Sequence, residues 1–443
     1  MIDIKKNIYI IIKKIFKKIL TLTVKIGGEK KASLVFKNMG ILATGSVISK
    51  IIGFATYPII TRIYSPADFG IYAVYTSAIF ILLPFATLRY TIAIPLPRND
   101  ILAFNILAMG FIIVIIFSSV LSIFFIISDT YIFELFNIDE LAPYWWLLVI
   151  GIIGAALYDM FTDWATRKKK FAPVAHTDIW RSTISAILKI ILGIIGYKPI
   201  GLLLGDTAHK TGGSLYLIKS FYKDIMLYSS SLSRRYIVFL SKYYRNLPLY
   251  HMPSDFLLVL TSKMPILFFA YQFGVEDSGQ LGLSIMIVSV PMGLIGKSTS
   301  KAYYAEIAKI GITDKKNFIK ITKSVIKNLS LLSIFTFGIL LVSPTIFKFV
   351  FGEAWIQAGE FTRILSVYIL FEFVTAPLVN IFNVYNKQSK LLKTSIMRIL
   401  LIMCAFYISY IMNFDVYQTL YIYTTFMCIY FIYLGYSLYN IIK

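Results

Sequence analysis

Apolar blocks alternate with short polar connectors along this chain, and twelve of the blocks are long enough to cross a bilayer. They run roughly over residues 38–61, 69–93, 101–127, 142–164, 172–196, 200–219, 249–272, 279–303, 324–343, 361–384, 391–412 and 416–440. A spanning helix needs about 17–25 mostly apolar residues, so each block predicts one. The pattern is that of an all-α polytopic membrane protein. Between the first two blocks, Ser65-Pro66-Ala67-Asp68-Phe69-Gly70 breaks the apolar run. Ser65-Pro66 should end one span and Gly70 should open the next, making a tight turn.

The connectors alternate in charge. Residues 1–37 carry ten lysines, and further basic clusters fall at Arg89/Arg98, Arg167 to Lys170, Lys219 to Arg245, Lys297 to Lys327 and Lys387 to Lys393. The connectors between them are poor in base and include Asp129, Glu134, Asp139, Glu140, Glu276, Asp277, Glu353, Glu360 and Asp415. By the positive-inside rule both termini and every basic loop are expected in the cytoplasm, in a multi-pass protein of the cytoplasmic (cell inner) membrane. The net charge of +22 then reflects topology and does not call for a nucleic-acid partner. Hydrophobic residues make up 58% of the chain, against about 45–50% in soluble domains.

The longest break, residues 220–248, is basic and tyrosine-rich and divides the spans six to six. The expected division is a basic amphipathic cytoplasmic helix (1–31), a first six-helix lobe (32–219), a cytoplasmic linker (220–248) and a second six-helix lobe (249–443). In the N-terminal segment Ile4, Ile8, Ile11, Ile15, Ile19 and Leu22 mark one face against Lys6, Lys13, Lys14, Lys17 and Lys18, a pattern suited to anionic lipid. The two halves echo each other. Ala67 to Ala73 aligns with Glu276 to Gly282 at an offset of 209, and Ile132-Phe133 with Ile346-Phe347 at 214. Halves with an even number of spans share orientation, so an axis along the membrane normal should relate them.

Ionisable residues inside apolar spans are costly and mark functional candidates. They are Lys50, Arg89, Asp159, Asp178, Arg181, Lys189, Asp206, His209, Lys210, Asp255, Lys263, Lys297, Lys301 and Glu372, with His176 beside them. Asp178 and Arg181, three apart, and Asp206 and Lys210, four apart, can pair on their own helices. Asp159, Asp255 and Glu372 have no such helical partner. Tyr144, Trp145 and Trp146 suit an interfacial aromatic belt. Cys404 and Cys428 have no ligand spacing, so no disulfide framework or metal is expected. Gly293 to Thr299 ends like a phosphate-binding loop, but Pro291 stands where its first glycine is needed. HExxH, GxSxG and GxGxxG are absent, so no enzyme reading and no cofactor is supported.

Arg62 to Tyr72 resembles the signature after the first helix of polysaccharide/O-antigen (Wzx-like) flippases of the multidrug/oligosaccharidyl-lipid/polysaccharide exporter superfamily. Leu88 to Pro97 resembles the inner end of their second helix, and Asp163 to Phe171 their fourth-to-fifth helix loop. Phe351 to Gly359 and Asn383 to Lys390 resemble the loops before and after their tenth helix. The resemblance spans about residues 33–443 and leaves the N-terminal basic helix outside it. It implies twelve transmembrane helices in two six-helix lobes around a central cavity. It also implies movement of undecaprenyl-diphosphate-linked oligosaccharide to the outer leaflet for O-antigen or capsule synthesis, with ion coupling. Partners would be the lipid-linked oligosaccharide, membrane lipid, and polymerase and chain-length proteins.

A diphosphate cannot cross hydrocarbon bare, and Lys or Arg side chains can replace its hydration. The candidates for that contact are Lys50, Arg89, Lys263 and Lys297, with Arg181 and Lys210. Spans 1 and 7 are equivalent by the repeat, which would set Lys50 and Lys263 across the axis from each other. A carboxylate in a low-dielectric site can exchange a proton, so Asp159, Asp178, Asp206, Asp255 and Glu372 are candidates for ion coupling. Two other functions remain open. A multidrug exporter of the same superfamily should prefer acidic spans. A membrane polysaccharide polymerase should carry a larger outer loop than any here.

Overall fold

The computed structural model describes residues 30–128, 130–135, 138–310, 314–385 and 387–442. Most of the expected N-terminal amphipathic helix lies outside the described residues. Among those described, every regular element is helical, and twelve long helices follow the predicted spans in order. They are α1 (Lys30–Ile63), α2 (Pro66–Thr87), α3 (Asp100–Ser128), α4 (Trp145–Arg167), α5 (Ala172–Ile195), α6 (Ile200–Ser220), α7 (Met252–Phe273), α8 (Val275–Pro291), α9 (Lys315–Leu341), α10 (Ile356–Thr375), α11 (Gln388–Ile411) and α12 (Val416–Ile442). Eight helical stretches among the described residues are long and apolar enough to cross a membrane by length and composition. α5 and α6 are not among them, because each carries charged and polar residues along one side.

Three predicted spans are shorter or broken in the structure. The second stops at Thr87, because Leu88 and Arg89 take left-handed backbone angles (φ 46° and 57°) before a tight turn at Tyr90–Ala93. The eighth ends at Pro291, loosens into a wide turn at Met292–Gly296 and resumes as a helix over Lys297–Ile310. The tenth begins five residues early at Ile356 and tightens at Ala376–Leu378, where Pro377 has no N–H to donate.

The helices form two compact units, each interrupted in sequence. One holds the chain through Tyr57 with Leu82–Asp129 and Pro143–Asp255; the other holds Pro58–Ile81, Thr130–Ala142 and Phe256–Lys443. Residues 58–81, in the first half by span count, thus pack in the second unit. In the first unit α3 packs on α4, α4 on α6, and α5 on α6. In the second unit α9 packs on α10, α10 on α12, and α11 on α12. The same three pairings recur six helices later, as an internal repeat requires.

The turn between α1 and α2 is capped from both sides. Asp68 accepts hydrogen bonds from the Ser65 N–H and hydroxyl, each 2.8 Å, while its own N–H donates to Ser65 Oγ at 3.2 Å. This is a capping box with Pro66 at the first helical position. Here, within the second unit, α2 meets α8 at backbone contact. A Cβ on Gly70 would run into the Val275 carbonyl, one on Gly279 into the Pro66 carbonyl, and one on Gly282 would sit 2.9 Å from Ala73 Cβ. Pro66, Gly70 and Ala73 stand 209 residues before Val275, Gly279 and Gly282. Exchanging the halves returns the same three contacts, so a local twofold axis relates α2 and α8.

Close helix approach of this kind tolerates no added atom. Gly279→Ala is expected to cost about 1–3 kcal/mol, the range for overpacking. Gly338→Ala, on α9 with nothing within 4 Å, should stabilise by about 0.5–1 kcal/mol. Thermal unfolding of the detergent-purified variants checks both, and equal midpoints would contradict the close crossing.

Candidate functional site

In a bilayer, a helix with charge on one stripe turns that stripe away from lipid. α5 does so. Trp180, Ile184, Ile187, Ile191 and Ile194 are exposed, while Asp178, Ser182, Ser185 and Lys189 are buried on the opposite side. The buried stripe meets α1, α4 and α6, and there the first unit collects its polar side chains.

Asp178 is the centre of the collection. One of its oxygens accepts from the Tyr158 hydroxyl at 2.6 Å and lies 2.8 Å from Arg181 Nη2. The other accepts from Ser46 of α1 at 3.2 Å, and the Ser49 and Ser182 hydroxyls meet at 2.6 Å. The Arg181 guanidinium carbon lies over the Tyr158 ring, 3.8 Å from its centroid. Gly213 of α6 leaves room for both, since a Cβ there would come within 2.8 Å of the Tyr158 ring and 3.1 Å of Arg181 Cδ. One turn or more along α6, Asp206 pairs with Lys210, and Lys189 reaches into the electrostatic field of both. His209 stands near Arg181, Lys189, Asp206 and Lys210.

A second group forms near the strained turn after α2. Arg89 Nε lies 2.8 Å from Asp255 of α7. Two consecutive non-glycine residues in the left-handed region cost of order 1 kcal/mol each and gather at functional positions. Here the conformation is held by the Asp255 pair and by Thr87 Oγ1, which accepts from the Arg89 N–H at 3.3 Å. Asp159 lies in the electrostatic reach of both Arg89 and Arg181, linking the two groups. Asp163, one turn further along α4, faces Arg89 and Asp159 and accepts from the Thr91 hydroxyl.

Beyond the last turn of α4 the chain is locked to the start of α3. Asp100 takes Arg167 at 2.7 Å and Lys168 at 2.6 Å, and the Tyr228 hydroxyl donates to it at 3.1 Å. Burial alone would lower the Lys168 pKa, but its bonds to Asp100 and Tyr228 hold it above the ordinary value. Arg167 also donates to the carbonyls of Ile94 and Pro97, which closes the loop after Arg89 onto this lock.

The second unit has its own polar group. Glu372 of α10 and Arg398 of α11 are electrostatic partners among Tyr368, Tyr423 and Tyr430. The Arg398 guanidinium is 5.6 Å from the Tyr430 ring and 5.8 Å from Phe431. By helix position Glu372 answers Asp159 at an offset of 213, and Arg398 answers Arg181 at 217. Both arginines face aromatic rings, and the Nε of each is buried without a hydrogen-bond partner among the described residues.

Of the cationic candidates, Arg89, Arg181 and Lys210 are each held by a carboxylate. Lys50 is exposed on α1 of the first unit. Lys263, half-buried in the second, lies 5.1 Å from the Phe80 ring. The side chain of Lys297 lies outside the described residues. Asp255, expected to lack a partner on its own helix, finds one on another chain segment in Arg89. Tyr158, Asp163 and Arg398 were not singled out from the sequence. Arg398 could have been found as an ionisable residue ten positions into a span. Tyr158 carries no signal of its own.

A profile of a family described as polysaccharide biosynthesis protein matches residues 59–360 of the 443. The chain belongs to the polysaccharide biosynthesis protein family. The matched region of this family member includes α2 through α8, and so every polar group of the first unit except the α1 serines. A search among curated proteins finds no match. Solved structures share the fold, three transporters among them. The chain is 13% identical to a multidrug resistance MATE family transporter of the MOP superfamily in its inward-facing conformation, with a TM-score of 0.68 over 89% of this chain and 98% of that one. An outward-facing MATE structure gives 15% identity and 0.59 over 92% and 96%. A MOP superfamily transporter from Pyrococcus furiosus, described by a binding pocket of reverse polarity, gives 14% and 0.59 over the same shares. The family read from the sequence motifs is therefore met, and the family member has the MATE transporter fold.

The Asp178–Arg181 pair permits a direct test. Removing one partner of a buried pair costs about 3–5 kcal/mol, while removing both costs much less. Asp178→Asn alone should lower stability by about 3 kcal/mol, and Asp178→Asn with Arg181→Gln should recover most of the loss. Thermal unfolding decides it, and simple addition of the two single effects would sink the pairing.

Proposed function

We propose that this protein is a flippase for undecaprenyl-diphosphate-linked oligosaccharide, acting by alternating access in the cytoplasmic membrane with both termini in the cytoplasm. The observation that carries the reading is the pairing of intramembrane cations with carboxylates in a member of the polysaccharide biosynthesis protein family. A diphosphate is a better partner for a guanidinium or ammonium than a single carboxylate, because it offers more acceptor oxygens and more charge. Arg89, Arg181 and Lys210 would exchange Asp255, Asp178 and Asp206 for the substrate headgroup. The freed carboxylates, with Asp159 and Glu372, would then be open to a coupling ion. Lys50, Lys263 and Lys297 would contribute further positive charge to the diphosphate. The polyprenyl tail would remain in lipid.

The multidrug exporter reading is favoured by a specific observation as well. Asp159 and Asp163 bring two carboxylates to one stretch of α4, which suits a cation. The two readings differ in what accumulates when the protein is lost.

A deletion strain should accumulate lipid-linked repeat units in the inner leaflet and lose surface polymer, with unchanged drug susceptibility. Units in the outer leaflet would indicate a polymerase, and drug hypersensitivity an exporter. Lys50→Ala and Lys263→Ala should each cut polymer export about 10- to 100-fold at normal expression, since a hydrogen bond to a charged group contributes about 1.5–3 kcal/mol. Normal export by both variants would refute the role of these cations.

A further inference from the structure

The segment joining α6 to α7 is not a plain loop. It holds two short helices, Tyr222–Ser229 and Arg234–Tyr243. The second is fastened to the first unit along one side only. Leu240 is buried there, and the Tyr90 hydroxyl donates to the Ser241 carbonyl at 3.0 Å. Just before it, Asn105 donates to the Ser231 carbonyl at 3.2 Å and accepts from the Ser233 N–H at 3.0 Å.

The flank next to Leu240 is open and carries a composition unusual for a water-facing helix. Tyr236, Phe239 and Tyr243, at spacings of three and four, form one stripe, exposed by 44%, 57% and 67%. The Phe239 and Tyr243 rings stack at 5.9 Å. Arg234, Arg235 and Lys242 lie on the face across the helix from Leu240 and Arg245 follows, all exposed. No acidic residue occurs between Asp224 and Asp255. Asp224 itself accepts from the Trp164 indole at 3.2 Å.

We propose that Arg234–Tyr243 is an interfacial helix that docks on anionic phospholipid of the leaflet from which α6 and α7 emerge. Two features select lipid over a soluble protein. The helix is tied by short connections to two spans, so it cannot leave the bilayer boundary. Its aromatic stripe with flanking base matches the headgroup region, where aromatic rings sit at the acyl boundary and Lys or Arg reach phosphates. Because the same helix braces Tyr90, beside Arg89 and its Asp255 pair, docking would fix the position of that turn relative to the membrane surface.

The test uses the full chain in nanodiscs, with Cys404 and Cys428 replaced by Ala and a fluorescent bimane label on Phe239→Cys. In discs containing phosphatidylglycerol, the label should be quenched by doxyl-bearing lipid and shielded from aqueous iodide. Raising the phosphatidylglycerol fraction should deepen the lipid quenching. Replacing Arg234, Arg235, Lys242 and Arg245 with Gln should abolish that dependence. A label open to iodide and untouched by doxyl lipid overturns the proposal. So does quenching that ignores phosphatidylglycerol, or protection that appears only on adding cytosolic protein. A label on Leu240→Cys, on the protein side, should be shielded from both quenchers, which reports that the helix is folded in place.

Discussion

A charged side chain inside hydrocarbon must find a partner, and the rest of this structure follows from that requirement. Each unpaired charge at the centre of a membrane helix costs about 2.5–3.5 kcal/mol on insertion scales. The first unit meets the requirement with pairs: Arg89 with Asp255, Arg181 with Asp178, Lys210 with Asp206. Pairing needs side chains from several helices within about 3 Å, so the helices must approach closely. The small residues that allow this stand where the charges meet. Gly213 makes space for Arg181 and Tyr158, and Gly45 brings α1 against Ala175 of α5. Lipid supplies no hydrophobic drive for such contacts, so small residues and hydrogen bonds must hold them.

The same requirement shapes how the site can act. A cation already neutralised in the resting protein can exist within the membrane before substrate arrives. It can release its carboxylate only to something that satisfies it at least as well. On the proposed function, specificity for an anionic headgroup would need no permanently open positive cavity. An exchange of partners also returns a carboxylate to the unpaired state, where it must be satisfied by a proton or a metal ion. On that proposal, substrate binding and ion binding would be linked by charge balance alone.

The spans were legible because their signal is local. Block length and charge alternation placed the twelve helices, and the break at Ser65-Pro66 was read as a turn, although Pro66 opens α2 rather than ending α1 and Gly70 lies within α2. The i,i+3 and i,i+4 pairs Asp178–Arg181 and Asp206–Lys210 were visible for the same reason. What escaped was set by other helices. Arg89–Asp255 joins residues 166 apart in sequence, and Tyr158 gains its role only from α5 packed beside it. The break after Thr87 was hidden because Leu88 and Arg89 carry no mark of a left-handed backbone. Glycine or asparagine would have shown it.

The repeat adds a final step. Helix pairing is the same in the two units, and the twofold contact of α2 with α8 preserves even the backbone spacing. The polar chemistry has diverged on that common frame. The first unit keeps several ion pairs knitted to serines and a histidine, whereas Glu372 and Arg398 stand among tyrosines and phenylalanines. A shared frame with unequal charge means that the two halves do not respond equally to an anion or a proton. The first unit has partners to exchange at three cations. In the second, Glu372 and Arg398 are surrounded by hydroxyls and rings that limit what else can enter. Under the proposed function, exchange of charge would be concentrated in the first unit, with the second holding its arrangement meanwhile.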